Sequence, residues 1–264
     1  MAVPKILQHL RIPVIGAPMF IAGNPKLVIE QCLAGIVGSF PALNARPKES
    51  LDQWLTDIET ALAGQPDAAP YAVNQIVHKS NDRLEHDIEV CIRHKVPITI
   101  TSLRAPDEVV ARIHAYGGIV LHDVISVRHA HKALEAGVDG LILVCAGAGG
   151  HAGTLSPFAL IGEVRRFFDG PIVLSGAISS GDAILAAQAA GADLAYLGTR
   201  FLATPEASVP ERYKDEILRA AAADIVYTDL FSNVHGNYLK HSVVAAVVAQ
   251  LESEYGAARQ RLQM

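Results

Sequence analysis

Cysteine is scarce in this 264-residue sequence, and its three cysteines, Cys32, Cys91 and Cys145, form no Cys-x-x-Cys pair. This spacing argues against a zinc site and a disulfide framework, and it favours a reducing compartment. Cys145 borders a glycine-rich stretch, where a small buried residue is favoured over a nucleophile. Charge is also scarce, at 19% of the residues with a net charge of -5 and no basic cluster, so nucleic acid is not expected as a partner.

The sequence lacks an apolar run long enough to span a bilayer, and Met1 to Arg11 contain no apolar core of the secretory type. We therefore expect a cytoplasmic protein that does not bind a membrane. Half of the residues are hydrophobic, which is enough for a large buried core and argues against disorder.

A weak repeat predicts the fold, because alanine-rich helical stretches end in glycine and short apolar strands follow them. Strands are expected at residues 13–17, 36–40, 71–76, 96–101, 119–123, 140–145, 171–175 and 194–198. Helices are expected between most of them, including 24–34, 82–94, 106–116, 126–136, 157–168 and 181–190. Eight alternating units favour a (β/α)8 TIM barrel. A doubly wound open sheet is the main alternative, but no Gly-x-Gly-x-x-Gly follows the first strand.

The pattern changes after residue 200, and we expect residues 205–264 to form C-terminal helices and an active-site loop packed on a barrel of residues 1–204. A helix is expected at 205–223, a polar loop at 224–242 and a terminal helix at 247–262. No linker indicates an independent domain.

The most informative stretch is residues 146–153, which directly follows an apolar strand. Its glycines permit positive φ and a close approach of the backbone to a ligand. His151 lies among them, and an imidazole that titrates near neutral pH can act as base, acid or anion partner. Packing does not require so many small residues around a histidine, so we predict an active site here.

Chemistry in a TIM barrel lies at the carboxyl ends of the strands. These ends include Gly16-Ala17-Pro18-Met19, Asn74-Gln75, Thr101-Ser102, His122-Asp123, Ser175-Gly176-Ala177 and Gly198-Thr199-Arg200. The glycine turns after the seventh and eighth strands expose backbone N–H groups, and with a helix N-terminus they predict a phosphate site.

Four polar or sulfur-bearing residues at these ends have open interpretations. Asn74 needs partners if buried, either on a heteroaromatic ring or on neighbouring backbone. Met19 is either a core residue or a neighbour of a flat cofactor ring. His122 and Asp123 point to opposite sides of one strand, so one is expected to face the lumen and the other a helix.

Taken in order over nearly the whole chain, these motifs resemble the nitronate monooxygenases, formerly called 2-nitropropane dioxygenases, which are FMN-dependent barrel flavoenzymes. The resemblance lies in Gly16 to Met19, Ala72-Val73-Asn74, Gly147 to Gly153, Ser175 to Ile178 and Gly198-Thr199-Arg200-Phe201. Related flavoenzymes include NAD(P)H:quinone reductases and a flavin enoyl-acyl-carrier reductase. The resemblance therefore specifies FMN better than the substrate.

The resemblance implies a role for each matching residue. His151 is the expected catalytic histidine, Met19 and Asn74 are expected beside the flavin ring, and Gly176, Gly198 and Thr199 are expected to hold its phosphate. The whole set expected to bind FMN is Ala17, Pro18, Met19, Asn74, Asp123, Ala148, Gly149, Gly150, Ser175, Gly176, Ala177, Gly198 and Thr199. Some relatives carry a lysine at the position of Asp123, which leaves a charged contact to the flavin open there.

The implied reaction is the FMN-dependent oxidation of alkyl nitronates or nitroalkanes with O2 to carbonyl compounds and nitrite, by a monomer or homodimer. His151 would stabilise the anionic nitronate or remove the α-proton of a neutral nitroalkane. The alternatives are an NAD(P)H-dependent flavin reductase and a phosphate-binding barrel without redox chemistry. No metal is expected.

The resemblance also indicates a seam at Ala246-Val247, where relatives carry a further segment of roughly tens of residues. Seven consecutive apolar residues, 243–249, run through this point, although a surface helix normally begins with a polar cap. Either a mobile lid segment belongs between these residues, or a deletion leaves the flavin more open to solvent. An intact mass near 28.1 kDa contradicts the lid, and a mass several kDa higher supports it.

Overall fold

The computed structural model of the chain describes residues 3–230 and 235–261. Its strands are β1 (Val14–Gly16), β2 (Gly38–Pro41), β3 (Tyr71–Val77), β4 (Ile98–Leu103), β5 (Ile119–Val124), β6 (Gly140–Val144), β7 (Gly150–His151), β8 (Ile172–Ser175), β9 (Leu194–Leu197), β10 (Ile225–Thr228) and β11 (Gly236–Leu239). Eight of them form one parallel sheet in the order β1-β9-β8-β6-β5-β4-β3-β2. A bridge between Ile15 and Val37 closes this sheet into a (β/α)8 barrel, as predicted.

The helices lie mostly between these strands and cover the outside of the barrel. They are α1 (Pro25–Leu33), α2 (Ser50–Leu62), α3 (Leu84–Arg93), α4 (Asp107–His114), α5 (Val127–Glu135), α6 (Pro157–Val164), α7 (Gly181–Ala189), α8 (Thr199–Leu202), α9 (Glu211–Arg219) and α10 (Lys240–Arg261). The predicted glycine caps are confirmed, since Gly35, Gly137 and Gly191 follow helices and have positive φ.

Alternate residues of the barrel strands fill the lumen. The buried members of this interior cluster include Ile15, Val37, Ala72, Ile98, Ile100, Leu121, Ile142, Val173, Leu194 and Tyr196. The opposite residues of the same strands pack against the helices, so both faces are buried. This explains why the strands show no simple alternation of apolar and polar residues.

Three sequence predictions for the C-terminal part need correction. The helix expected at 205–223 is shorter, because Pro210 precedes the first turn of α9 and a 3-10 helix at Ala222–Asp224 follows. The loop expected at 224–242 contains the antiparallel hairpin of β10 and β11, whose β-branched and aromatic residues favour a strand. Residues 231–234 of that loop lie outside the described residues.

The terminal helix begins at Lys240 rather than at residue 247, and α10 continues through Ala246 and Val247 without a break. Several of its apolar side chains are exposed: Val244, Val247, Val248, Leu251 and Tyr255. Leu262, the expected end of this helix, lies outside the described residues. In residues 3–230 and 235–261, no helix combines the length and the apolar character needed to cross a membrane.

Candidate functional site

The loop after β6 and the turn after β8 pack directly against each other. The N–H of Cys145 donates to the carbonyl of Ser175 at 3.0 Å, and the N–H of Ala177 donates to the carbonyl of Gly147, also at 3.0 Å. A Cβ on Gly147 would lie 3.0 Å from the Cβ of Ala177, which is a tight contact. Gly147 also has a φ of +85°, so the sequence needs glycine here for two reasons.

The two glycines predicted to hold a phosphate differ in what surrounds them. Gly176 has a φ of +148°, and a Cβ there would lie 2.8 Å from the carbonyl oxygen of Ala146, so this turn requires glycine. At Gly198 a Cβ would have ordinary contacts, 3.6 Å from Sδ of Met19 and 3.7 Å from Cβ of Ala17. Local packing therefore tolerates a methyl group at Gly198.

Both turns have backbone donors to offer. Within the part of the chain that the structure describes, the N–H groups of Gly176 and Gly198 donate to no carbonyl or side chain. The N–H of Ala177 donates to the carbonyl of Gly147 and is therefore not available to a phosphate. Ala177 instead supports the turn by packing against Gly147. A Cβ on Gly149 would lie 3.7 Å from Oγ1 of Thr199, which brings the loop after β6 to the turn after β9.

Ala17, Pro18 and Met19 are half-buried at the end of β1. The carbonyl oxygen of Met19 accepts hydrogen bonds from Nδ2 of Asn44 and from the N–H of Gly23, both at 2.9 Å. Its side chain lies beside Gly198 and is half-exposed. Met19 therefore lies at the mouth of the barrel rather than in its core.

His151 is held at the mouth by a small second sheet. It forms β7 with Gly150, and β7 pairs antiparallel with β11, so that His151 lies opposite Gly236. Nδ2 of Asn237 donates to the carbonyl of Ala148 at 2.7 Å, which fastens the glycine-rich loop to the C-terminal hairpin. A Cβ on Gly236 would lie 2.5 Å from the carbonyl oxygen of Gly150, so glycine is required there.

The imidazole of His151 is exposed, and partial desolvation lowers its pKa below the ordinary value. Because the ordinary pKa of histidine is about 6.5, this shift favours the neutral imidazole at neutral pH. A neutral imidazole can accept a proton through one nitrogen and donate a hydrogen bond through the other.

A series of hydrogen bonds crosses the lumen at the carboxyl ends of β3, β4 and β5. Nδ2 of Asn74 donates to Oγ of Ser102 at 2.8 Å, and Oγ of Ser102 donates to Oδ2 of Asp123 at 2.6 Å. Nδ2 of Asn74 also lies 3.4 Å from the carbonyl of Ile100. Asn74 thus has structural partners through Nδ2, while Oδ1 accepts no hydrogen bond from the described residues.

Two buried polar atoms near this series have no hydrogen-bond partner among the described residues: Oδ1 of Asp123 and the hydroxyl of Tyr196. Burial raises the pKa of Asp123 to about 6, although the hydrogen bond from Ser102 opposes this shift. Burial, and then the charge of Asp123, raise the pKa of Tyr196 well above its usual range. Unpaired buried polar atoms are costly and often mark a ligand site.

The opposite orientation of His122 and Asp123 is confirmed. His122 is buried on the outer side of β5, where Nδ1 lies 2.8 Å from Oγ1 of Thr101. Burial, with a smaller contribution from His129, lowers the pKa of His122 to about 4, so it is neutral. Burial also raises the pKa of the Cys145 thiol to about 12, which supports its interpretation as a structural residue.

Sequence analysis did not identify Tyr196 or Asn237 as parts of this site. Tyr196 was detectable, because it lies two residues from both Leu194 and Gly198 and so faces the same side of its strand. Asn237 gave no such signal, because its partner Ala148 is 89 positions away in the sequence. Among the described residues, no cluster of three metal-binding side chains occurs.

Comparison with known proteins identifies one family. The family model described as nitronate monooxygenase matches residues 40–261. A curated protein of Rhodococcus jostii named (3aS,4S,5R,7aS)-5-hydroxy-7a-methyl-1-oxo-octahydro-1H-indene-4-carboxyl-CoA dehydrogenase is 28% identical over 256 residues, which are 91% of this chain and 69% of that protein.

A curated nitronate monooxygenase of Paraburkholderia phytofirmans is 27% identical over 274 residues, covering 88% of this chain and 75% of that protein. This alignment is longer than the chain itself, so the relative carries residues inserted within the matched region.

Two solved structures share the fold. FabK from Thermotoga maritima has a TM-score of 0.80 and 27% identity, with 89% of this chain and 73% of that chain covered. A nitroalkane oxidase from Streptomyces ansochromogenes has a TM-score of 0.79 and 24% identity, with 89% and 78% covered. The second similarity supports the fold alone.

Proposed function

The chain belongs to the nitronate monooxygenase family, and on that premise we propose that it binds FMN and oxidises alkyl nitronates with O2 to carbonyl compounds and nitrite. Family membership implies an oxidoreductase with a flavin cofactor. The identity of the flavin, the nitronate substrate and the site residues are the parts that we propose. The proposal includes a flavin-binding barrel of residues 1–204 with residues 205–264 packed on it, in a cytoplasmic monomer or homodimer.

The observation that carries this proposal is that the glycine-containing segments after β1, β6, β8 and β9 meet at the mouth of the barrel. The N–H groups of Gly176 and Gly198, which donate to no group among the described residues, suit a phosphate, and Thr199 next to Gly198 offers a hydroxyl. A mononucleotide needs one such phosphate site, and the chain has no dinucleotide fingerprint after β1. These features favour FMN.

The ring system of the flavin would be held by residues from three other strand ends. Ala17, Pro18 and Met19 would contact it at the end of β1, and Asn74 would offer Oδ1, which has no partner among the described residues. Asp123 would offer Oδ1, which is buried and also unpaired in this part of the chain. When bound, the flavin accepts electrons from the substrate and passes them to O2.

His151 would act on the substrate from the loop that covers the mouth. Its neutral imidazole can donate a hydrogen bond to an anionic nitronate and so stabilise the negative charge. With a neutral nitroalkane, the same side chain can remove the α-proton as a general base. The pairing of β7 with β11 would set the position of the imidazole for both tasks.

An NAD(P)H-dependent flavin reductase is a second candidate, because the Rhodococcus relative is named a dehydrogenase and matches 91% of the chain. Both candidates share the flavin site and differ in the reductant. The site therefore supports flavin chemistry more strongly than it supports one substrate.

The visible spectrum of the purified protein separates these candidates. We expect a yellow protein that releases a compound with the mass of FMN on heating, and whose absorbance bleaches on anaerobic addition of a nitronate. Bleaching by NADH without nitronate would favour the reductase. Protein that stays colourless with added FMN would contradict both and favour a phosphate-binding barrel without redox chemistry.

A further inference from the structure

The hydrogen-bonded series in the upper lumen has a defined direction. Asn74 donates to Ser102, and Ser102 donates its only hydroxyl hydrogen to Oδ2 of Asp123 at 2.6 Å. This arrangement orients the carboxyl group from one side. It leaves Oδ1 as the free end of the series, buried and without a hydrogen-bond partner among the described residues.

Burial raises the pKa of Asp123, and the hydrogen bond from Ser102 opposes this shift; among the described residues, no cation contributes to it. Tyr196 on β9 is the titratable group that interacts electrostatically with Asp123. Behind β5, His122 and His129 lie on the helix side of the strand, and His122 is neutral. β6 contributes the apolar Ile142 opposite Asp123.

Tyr196 cannot be the group that gains a proton at this site. Its pKa lies well above the usual tyrosine range, so the hydroxyl is already protonated at neutral pH. Asp123 differs, because a pKa of about 6 leaves it mostly ionised at neutral pH and close to the point of protonation.

We propose that Oδ1 of Asp123 takes up a proton when the bound flavin is reduced, with Ser102 and Asn74 as positioning residues. This inference rests on the proposed function, because it requires a flavin at the mouth of the barrel. Electrons from the substrate add negative charge close to a buried carboxylate, and that charge favours the neutral carboxylic acid. The carboxylate binds one proton from water, which forms an O–H bond at Oδ1, while Oδ2 keeps its hydrogen bond from Ser102.

The proton uptake has a direct signature in the pH dependence of the flavin midpoint potential. Between the Asp123 pKa values of the oxidised and reduced holoenzyme, reduction consumes one more proton, so the potential falls more steeply with pH. We expect this steeper region to begin at the Asp123 pKa of the oxidised holoenzyme; in the flavin-free protein this pKa is raised to about 6. Asp123→Asn should lack it, because the amide has nearly the same shape and cannot titrate.

Two further variants test the assignment to Asp123. In Ser102→Ala the steeper region should begin at a higher pH, because the lost hydrogen bond lowers the Asp123 pKa in the wild type. Tyr196→Phe is the matched control, since it removes the other unpaired buried atom and should keep the extra proton. Equal slopes for the wild type and Asp123→Asn would overturn the proposal, and so would loss of the extra proton in Tyr196→Phe.

An infrared measurement on the wild type covers the case in which Asp123→Asn does not fold or loses its flavin. The reduced-minus-oxidised difference spectrum at neutral pH should contain a carboxylic acid C=O band that shifts in D2O. A spectrum without this band would overturn the proposal. A protein that binds no flavin would contradict the proposed function as well, whereas flavin-loaded protein without the band contradicts this inference alone.

Discussion

The barrel lumen is lined by aliphatic side chains at the amino ends of the strands and by polar ones at the carboxyl ends. The change occurs over two residues of one strand, as in Leu121 to Asp123, Ala72 to Asn74, Val173 to Ser175 and Leu194 to Tyr196. At the lower end, the lumen side chains are apolar and buried. At the upper end, Oδ1 of Asp123 and the hydroxyl of Tyr196 have no partner among the described residues.

This difference separates stability from function along a single set of strands. Aliphatic burial in the lower lumen contributes favourably to the free energy of folding. An unpaired buried polar atom costs about 1–3 kcal/mol, so the upper lumen opposes folding until a ligand satisfies it. Substitutions at the two ends should therefore affect different measurements.

The largest effect is expected from Gly198→Val, which changes the upper end alone. The branched side chain should block the approach of a phosphate and remove all bound flavin, with nearly unchanged far-UV circular dichroism. Gly198→Ala is the matched control, because the structure leaves 3.6 Å to the nearest atom for a Cβ. Full yellow colour in Gly198→Val would place the phosphate elsewhere.

His151→Asn should reduce turnover of neutral nitroalkanes by roughly 10²–10⁴-fold, because it removes a general base. Turnover of preformed nitronates should fall less, since no proton has to be removed. Steady-state kinetics on both substrates make the comparison. An equal loss would make His151 an anion stabiliser, and no loss would end its catalytic role.

Ile98→Ala should lower the free energy of unfolding by about 2–5 kcal/mol, because it leaves a cavity among the buried aliphatic side chains of the lower lumen. Tyr196→Phe, at the upper end, should not lower it and should raise it by up to about 1–3 kcal/mol, because the removed hydroxyl is buried without a partner among the described residues. Urea unfolding of the flavin-free proteins measures both. Similar losses in the two variants would contradict the division of the lumen.

The smallest effect concerns pH. The folded-state pKa of Asp123 lies above its unfolded value, so stability is highest when the carboxyl is protonated and falls as the pH rises towards about 6. Asp123→Asn should remove this decline and should gain stability relative to the wild type at neutral pH. Unfolding curves of the flavin-free proteins near pH 4 and pH 7 test the direction of this change in stability. If Asp123 were paired with a cation, its folded-state pKa would be lowered, and stability would rise with pH instead.

Much of the barrel could be predicted from sequence, because each unit carries its own signals. Short apolar strands and glycine caps such as Gly137 and Gly191 depend on nearby residues, and their predicted positions are confirmed. The start of α10 was not predictable from the cap rule, since Lys240 follows β11 directly and the helix needs no separate polar cap there. The bond from Asn237 to Ala148 joins distant segments, and no local pattern encodes it.

The cofactor and catalytic roles of the site residues remain predictions, although the structure brings the segments that contain them together. Gly149 approaches Thr199, and Gly198 approaches Met19, as the order of strands in a barrel requires. The series from Asn74 to Asp123 depends on the direction in which one serine hydroxyl donates. That detail is a property of packed side chains and cannot be read from residue order.

The bond between Asn237 and Ala148 also has a consequence during synthesis on the ribosome. All eight barrel strands leave the exit tunnel before the hairpin that contains Asn237, so the nascent barrel can close while the histidine loop is still unfastened. A flavin captured at that stage would meet O2 without a positioned His151. The fastening of the loop by this hairpin therefore delays completion of the candidate site until the segment that contains Asn237 has left the ribosome.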